Sequence, residues 1–428
     1  MSLLDRRHFL ASSASTLAAA SFGLPTLAQE KAAKGAKKEK APAAPVAVNK
    51  DPLASLFLTW QRDPTTTMTI QWVGIESVAD IRVSPVAADQ WQTAKPATKP
   101  FPDTELKVHR CELTGLKPGT EYKFQIGDQK TDHRFRTMPE KATDTIQWVS
   151  GGDSGIDAHA VGTNIIAAKQ EPRFALVAGD LAYDDGKKPQ TFLKFLQNWR
   201  QHMVDPKGRL IPLVACIGNH EVNGAYKQSR DKSPAFLSVF DGLFREKTFN
   251  TLDFGDYLSL VLLDTDHIEP IGGEQTSWLA KTLADRQERP HLIVANHVPA
   301  YPSYRPSDGT AEKGGTGEDQ RKYWSPLFEK FNVDVVLEHH DHTFKRTHPL
   351  KDGHIDKNGV IYLGDGSWGK IRAPKSPEER PYLAAVAEAY HMTVHRLEGE
   401  QRFHVALEET GRVADVCRTV SKRPARRG

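Results

Sequence analysis

The chain has 428 residues, too many for one ordinary core, and its 39% hydrophobic and 26% charged content is that of a soluble globular protein of roughly two or three domains. Its net charge of +3 is carried by the ends: six Lys face Glu30 and Glu39 in residues 29–50, and five Lys or Arg face Asp415 after residue 412. The acidic body that remains offers no nucleic-acid surface, and no later run approaches the ~20 apolar residues of a stable membrane insertion.

Residues 1–28 read as an export signal: Asp5-Arg6-Arg7-His8-Phe9-Leu10, an Ala/Ser/Leu run, then Thr26-Leu27-Ala28 as a small-residue cleavage site. The arginine pair before Phe-Leu resembles a bacterial twin-arginine signal, which implies export of a folded protein to the periplasm or outside the cell. Residues 29–50 are Ala, Lys and Pro with almost nothing to bury, the composition of a disordered linker.

Residues 53–140 change to short alternating stretches separated by turns: Leu56–Trp60, Met68–Val73, His109–Leu113, Tyr122–Ile126 and Arg134–Thr137. Leu113-Thr-Gly-Leu-Lys-Pro-Gly-Thr-Glu-Tyr122 is similar to a fibronectin type III strand-turn-strand signature. An all-β sandwich is expected here, with Trp60 and Trp72 in its core and a role in packing against the next domain or shaping its entrance. Residues 144–410 alternate buried strands with helices, an α/β rhythm. Strands are expected at Ile146–Val149, Phe174–Val177, Ile211–Ile217, Leu258–Leu263, His291–Ala295, Val333–Leu337 and Val360–Leu363, and helices at Gln190–Met203, Glu274–Arg286 and Gln320–Phe331. Met392–Leu397 and Gln401–Leu407 would close the sheet. Residues 411–428 read as a disordered basic tail. Cys111, Cys216 and Cys417 make no even framework, and no disulfide is expected.

Chemistry clusters after the strands. In order come Gly152-Asp153, Gly179-Asp180-Leu181-Ala182-Tyr183, Gly218-Asn219-His220-Glu221, Asn296-His297 and His339-His340-Asp341-His342. Loops at the carboxyl ends of strands in an open α/β sheet converge on one crevice. There Asp153, Asp180, Tyr183 and His342 would form a hard, anionic set for one cation, and Asp180, Asn219, His297 and His340 a nitrogen-rich set for a second, with Asp180 shared. His340 and His342 would point one way along an extended segment, each reaching a different ion. A tyrosine ligand, with a free pKa of about 10, calls for a strongly polarising ion, Fe(III), and the second set suits Fe, Zn or Mn(II).

These five motifs, in this order, resemble the purple acid phosphatases among the calcineurin-like metallophosphoesterases, from about Leu56 to Leu407. The resemblance implies an αββα sandwich metallophosphoesterase domain preceded by the fibronectin-like domain. It also implies hydrolysis of small phosphate monoesters by in-line attack of a metal-bound hydroxide, with His220 assisting the leaving group. Glu221 would orient His220 or cap a turn, and Arg305 would clamp a phosphate oxygen or sit in solvent. Two departures stand out: His339 replaces the family's Gly before His-x-His, and the loop after His297 lacks the extra histidines of plant members. The open alternatives are a diesterase or nucleotide or pyrophosphate hydrolase on the same scaffold, or a non-catalytic binding protein. Nothing in the sequence sets an oligomeric state.

Overall fold

The computed structural model describes residues 52–75, 80–310 and 315–423, so the export signal and the linker lie outside the described residues. Two four-stranded antiparallel sheets form the leading domain. One orders Phe57–Thr59, Met68–Gly74, Lys107–Leu113 and Ala97–Pro100; the other orders Gln92–Ala94, Ile81–Pro85, Glu121–Ile126 and His133–Arg136. Alternation sends Trp72, Ile70 and Cys111 inward from the first sheet and Phe124, Ile126 and Phe135 from the second. Trp60 departs from expectation. Its ring stands edge-on to Phe174 and Phe254, at 6.0 and 5.8 Å, so it is buried against the following domain rather than within its own. Arg110 strengthens that junction by donating to the carbonyl of Val239 (3.0 Å) and pairing with Asp241.

The α/β domain is built on two large sheets, beside a two-stranded one that pairs Leu350–Lys351 with His354–Ile355. The six-stranded one runs Leu213–Cys216, Ala175–Ala178, Ile146–Gly151, His391–Glu398, Gln401–Glu408 and Val413–Val420. The seven-stranded one runs Asn250–Phe254, Leu258–Leu262, His291–Ala295, Val335–Glu338, Ile361–Asp365, Phe344–Thr347 and Leu383–Ala387. In each, the strands that lead into the polar motifs pair in parallel, so their carboxyl ends share an edge. Helix Pro189–His202 buries Phe192, Phe195, Leu196 and Trp199 along one stripe.

Two expectations need correction. Gln320–Phe331 is not one helix but two, Glu318–Tyr323 and Ser325–Lys330, because Pro326 has no N–H to continue the ladder across Trp324. The tail after Gly411 is not disordered up to Arg423. Val413–Val420 pairs antiparallel with Gln401–Glu408, and its polar residues find partners: Asp415 takes Arg346 (2.7 Å) and Thr419 takes Arg402 (2.9 Å). Arg423 then turns inward, donating to Asp334 (2.7 Å) and to the carbonyl of Asn332 (2.7 Å), so its charge is answered where it is buried. All three cysteines are free thiols.

Candidate metal centre

Each expected site residue stands on a loop leaving a strand's carboxyl end, and the loops are laced together. Backbone N–H groups of Asp153, Ser154 and Gly155 donate to the carbonyls of Gly179, Asp180 and Leu181 at 2.9–3.1 Å, which sets the two carboxylate loops side by side. Glycine makes the approach possible. A Cβ at Gly179, whose φ is +93°, would lie 2.3 Å from His297 Nδ1, and one at Gly218 would lie 2.5 Å from the Asp180 amide nitrogen.

Five of the seven candidate ligands take left-handed backbone: Asp153 (φ 57°), Asp180 (55°), Tyr183 (59°), His340 (73°) and His342 (60°). That conformation costs a non-glycine residue energy and persists where the surroundings force it, commonly at functional sites. It also corrects one expectation. His340 and His342 lie on a bent loop, not an extended segment, and they still reach different partners.

On the Tyr183 side, Asp153 Oδ1 lies 3.2 Å from Tyr183 Oη and 3.0 Å from His342 Nε2, and those two atoms are 3.1 Å apart. On the other side, His297 Nε2 lies 3.1 Å from Asn219 Oδ1, 3.1 Å from His340 Nδ1 and 3.3 Å from Asp180 Oδ1. Ligand atoms of Asp153, Asp180, His297 and His340, all buried, fall within 4.8 Å of one another. Asp180 Oδ2 is buried there with no hydrogen-bond partner.

This donor set fits cations. His297 Nδ1 lies 3.1 Å from the carbonyl of Ala178, which holds the ring proton on that nitrogen and turns the Nε2 lone pair toward the His340 Nδ1 lone pair. Two lone pairs facing each other beside an unanswered carboxylate oxygen are costly until a positive charge sits between them. The titration of the groups says the same. Burial disfavours the Asp180 carboxylate, yet the neighbouring His297, with His220 and His340, holds it well below the usual carboxylate range. Burial opposes charge on His297 too, but Asp180 and Asp153 push it up to about 9. The protein alone therefore keeps a proton where a cation would sit.

His220 lies beside the cluster. Its backbone N–H donates to Asp180 Oδ1 (2.8 Å), its ring packs on Tyr183 with centroids 4.4 Å apart, and its Nδ1 is 2.6 Å from Asp185 Oδ1. Glu221 caps the Asn219–Glu221 turn rather than orienting His220. It is fully buried and accepts the amide protons of Gly218, Asp180 and Leu181 at 2.7–2.8 Å, tying the Asp180 and Asn219 loops together. Arg305 Nη1 donates to the His340 carbonyl and to Asp341 Oδ1 (2.9 Å). His339 is buried, its Nδ1 2.9 Å from the Asn296 carbonyl, and Trp368 is core, donating to Asn164 Oδ1 (2.8 Å).

Sequence reasoning passed over three residues here. Asp185, not Glu221, partners His220. Asp341, between the two histidines, accepts the amide protons of Ser303 (2.6 Å) and Tyr304 (2.7 Å) and so fixes the loop after His297. Tyr226 reaches His340 Nε2 at 3.3 Å. Asp185 was visible two places after Tyr183, but an acidic pair before a glycine reads equally well as a turn.

With the geometry in place, comparisons with known proteins agree. One family profile, the purple acid phosphatase N-terminal domain, matches residues 54–151, and a second, the calcineurin-like phosphoesterase, matches residues 143–344. The chain therefore carries a purple acid phosphatase N-terminal domain followed by a calcineurin-like phosphoesterase domain. Purple acid phosphatase 21 of Arabidopsis thaliana is 25% identical over 292 residues, covering 63% of this chain and 62% of its own length. Purple acid phosphatase 15 of the same plant is 25% identical over 293 residues, covering 60% and 53%. The chain thus spans somewhat more than half the length of these relatives. A solved purple acid phosphatase from yellow lupin seeds shares the fold, with a TM-score of 0.71 at 18% identity over 86% of this chain and 74% of that one. The two profiles fall in the order of the two domains of the fold, the β-rich leading domain and then the α/β domain.

Proposed function

We propose that this chain is a purple acid phosphatase, a binuclear metal-dependent hydrolase of phosphate monoesters. The observation that carries the reading is the convergence of six further donors on Asp180, whose Oδ2 is buried without a partner. Asp153, Asp180, Tyr183 and His342 would hold one ion, read as Fe(III) from the phenol. Asp180, Asn219, His297 and His340 would hold the other, Fe, Zn or Mn(II). Bound there, the pair supplies Lewis acidity to a phosphoryl group.

The protein's own groups account for orientation and proton delivery. Asp185 fixes the His220 ring through Nδ1, which leaves Nε2, 3.9 Å from Asp180 Oδ2, to carry a proton to the departing alkoxide. Glu221 holds the Asp180 and Asn219 loops together through three amides. Arg305, anchored beside His340, offers a cation to the substrate's oxygens. Among the described residues no helix is long and apolar enough to cross a membrane, and export by the twin-arginine route rests on Arg6-Arg7 and the residues after them.

Hydrolysis of p-nitrophenyl phosphate against bis(p-nitrophenyl) phosphate by metal-loaded protein tests the reading, with Asp180→Asn as the blank. Monoester turnover that disappears in the variant supports it. Preference for the diester would move the assignment to a diesterase, and cleavage of neither would leave a binding protein.

A further inference from the structure

Tyr226 stands at the edge of the cluster on a loop that is held under strain. Gly224, Ala225 and Lys227 all have positive φ (104°, 69° and 56°), and two of these are not glycine. The strain is maintained by a neighbouring loop: Lys227 N donates to the Asp266 carbonyl (2.7 Å), Gln228 N to the His267 carbonyl (2.9 Å), and His267 Nδ1 lies 3.0 Å from the Ala225 carbonyl. His267 is buried, and its ring packs under that of Tyr226 with centroids 5.0 Å apart. All of this fixes one side chain that remains 37% exposed, its hydroxyl 3.3 Å from His340 Nε2.

The direction of that contact follows from the cluster. His340 turns Nδ1 toward His297 Nε2, the side on which an ion would be held, so its Nδ1 lone pair must be free and its ring proton must sit on Nε2. His340 Nε2–H is then the donor and Tyr226 Oη the acceptor. A phenol has a single proton, and here it is not spent on His340. No other acceptor lies within hydrogen-bond range of that hydroxyl among the described residues.

We propose that Tyr226 is a substrate-contacting residue: it accepts from His340 Nε2–H and donates its own O–H to a phosphoryl oxygen of the bound ester, beside Arg305. The proposal rests on the reading of the site as a phosphoesterase centre. Tyr226→Phe removes the hydroxyl and keeps the ring on His267; Tyr226→Ala removes both. The full chain, loaded with metal, is assayed for metal content, thermal midpoint, inorganic phosphate affinity by calorimetry, and KM and kcat on p-nitrophenyl phosphate.

The expected result for Y226F is unchanged metal content and midpoint, with the phosphate Kd and the KM both raised about tenfold or more, the loss due to one hydrogen bond to a charged group. Three results overturn it: Y226F binding phosphate like the parent, Y226F losing metal together with affinity, or weakening confined to Y226A. If the parent chain itself neither binds phosphate nor cleaves the ester, the phosphoesterase reading falls and this inference falls with it. A parent that binds and a Y226F that matches it sink the inference alone.

Discussion

At the carboxyl ends of the parallel strands, His297, His340 and His342 face carboxylates and one another; elsewhere in the α/β domain His291, His391, His395 and His404 are equally buried and face hydroxyls, carbonyls and an arginine. His395 sits between Ser150 Oγ (2.7 Å) and His404 Nδ1 (2.8 Å), and His404 goes on to Thr419 Oγ1 (3.1 Å). His291 reaches the Gly399 carbonyl (2.9 Å), and His391 reaches Ser367 Oγ (2.6 Å). The four lie on strands, and none is among the left-handed residues; His340 and His342 lie on a loop and both are. Burial and residue type are shared by the two groups. What separates them is direction: the strand histidines face separate partners, and His391 even leaves Nε2 buried and unpaired, whereas the cluster aims nitrogen lone pairs and carboxylate oxygens at a common point.

Removing the shared carboxylate should break the contrast most completely. Asp180→Asn takes away the one charge common to both donor sets, and both ions and at least about 10³-fold of the activity should go with it. Elemental analysis beside p-nitrophenyl phosphate turnover measures this, and a variant that kept two ions would make the cluster no different from the strand histidines. Next in size is His220→Ala, where both ions should remain and kcat should fall by about 10²- to 10⁴-fold, the range for loss of a general acid. Equal metal loss in the two variants would remove the distinction between holding ions and moving protons.

The contrast also marks how far the sequence can be read. Asp180 and His297 were legible because each follows a continuous apolar run, which declares a buried strand and so places its carboxyl end. The partner of His220 was not. Glu221 is adjacent in sequence and Asp185 is 35 residues away, yet a 3-10 turn over Asn219–Glu221 sends Glu221 to three amides and leaves the ring to Asp185. The strand Val413–Val420 was hidden for a similar reason, because its polar residues are answered by Arg346 and Arg402 from distant segments. Local pattern reports what a residue buries, and long-range partners decide what it bonds.

On the strand side, His395→Leu should lower stability by about 1–3 kcal/mol by leaving Ser150 and His404 without their shared partner. Thermal or urea unfolding reads this. Metal content and kcat should match the parent, since His395 lies on a strand that contributes no donor to the cluster. A loss of ions in this variant would mean the two histidine groups are coupled through the Ile146–Gly151 strand, which carries Ser150 and leads into Asp153, and the comparison would need redrawing.

The smallest effect is in pH. Burial, then Arg402 and His291, pushes His404 down to about 3, so in the fold it stays neutral across the mildly acid range. In the unfolded chain it takes up a proton near pH 6.5. Below that value the unfolded state binds more protons, and stability contributed by a neutral His404 is lost as pH falls from about 6.5 toward about 3, by up to about 1.4 kcal/mol per pH unit. His291 and His391, both pushed down to about 4 chiefly by burial, act in the same direction. Asp184 and Asp264, raised by burial to about 7 and about 6, act in reverse, because the fold keeps a proton that the unfolded chain releases. The total slope therefore mixes signs, and only a difference isolates one group. His404→Gln keeps a polar partner for His395 without a titrating ring, so between pH 7 and pH 5 its urea stability should fall by about 1–2 kcal/mol less than the parent's. Parallel slopes would mean that His404 already carries a proton in the fold, and burial would then not be what keeps the strand histidines neutral.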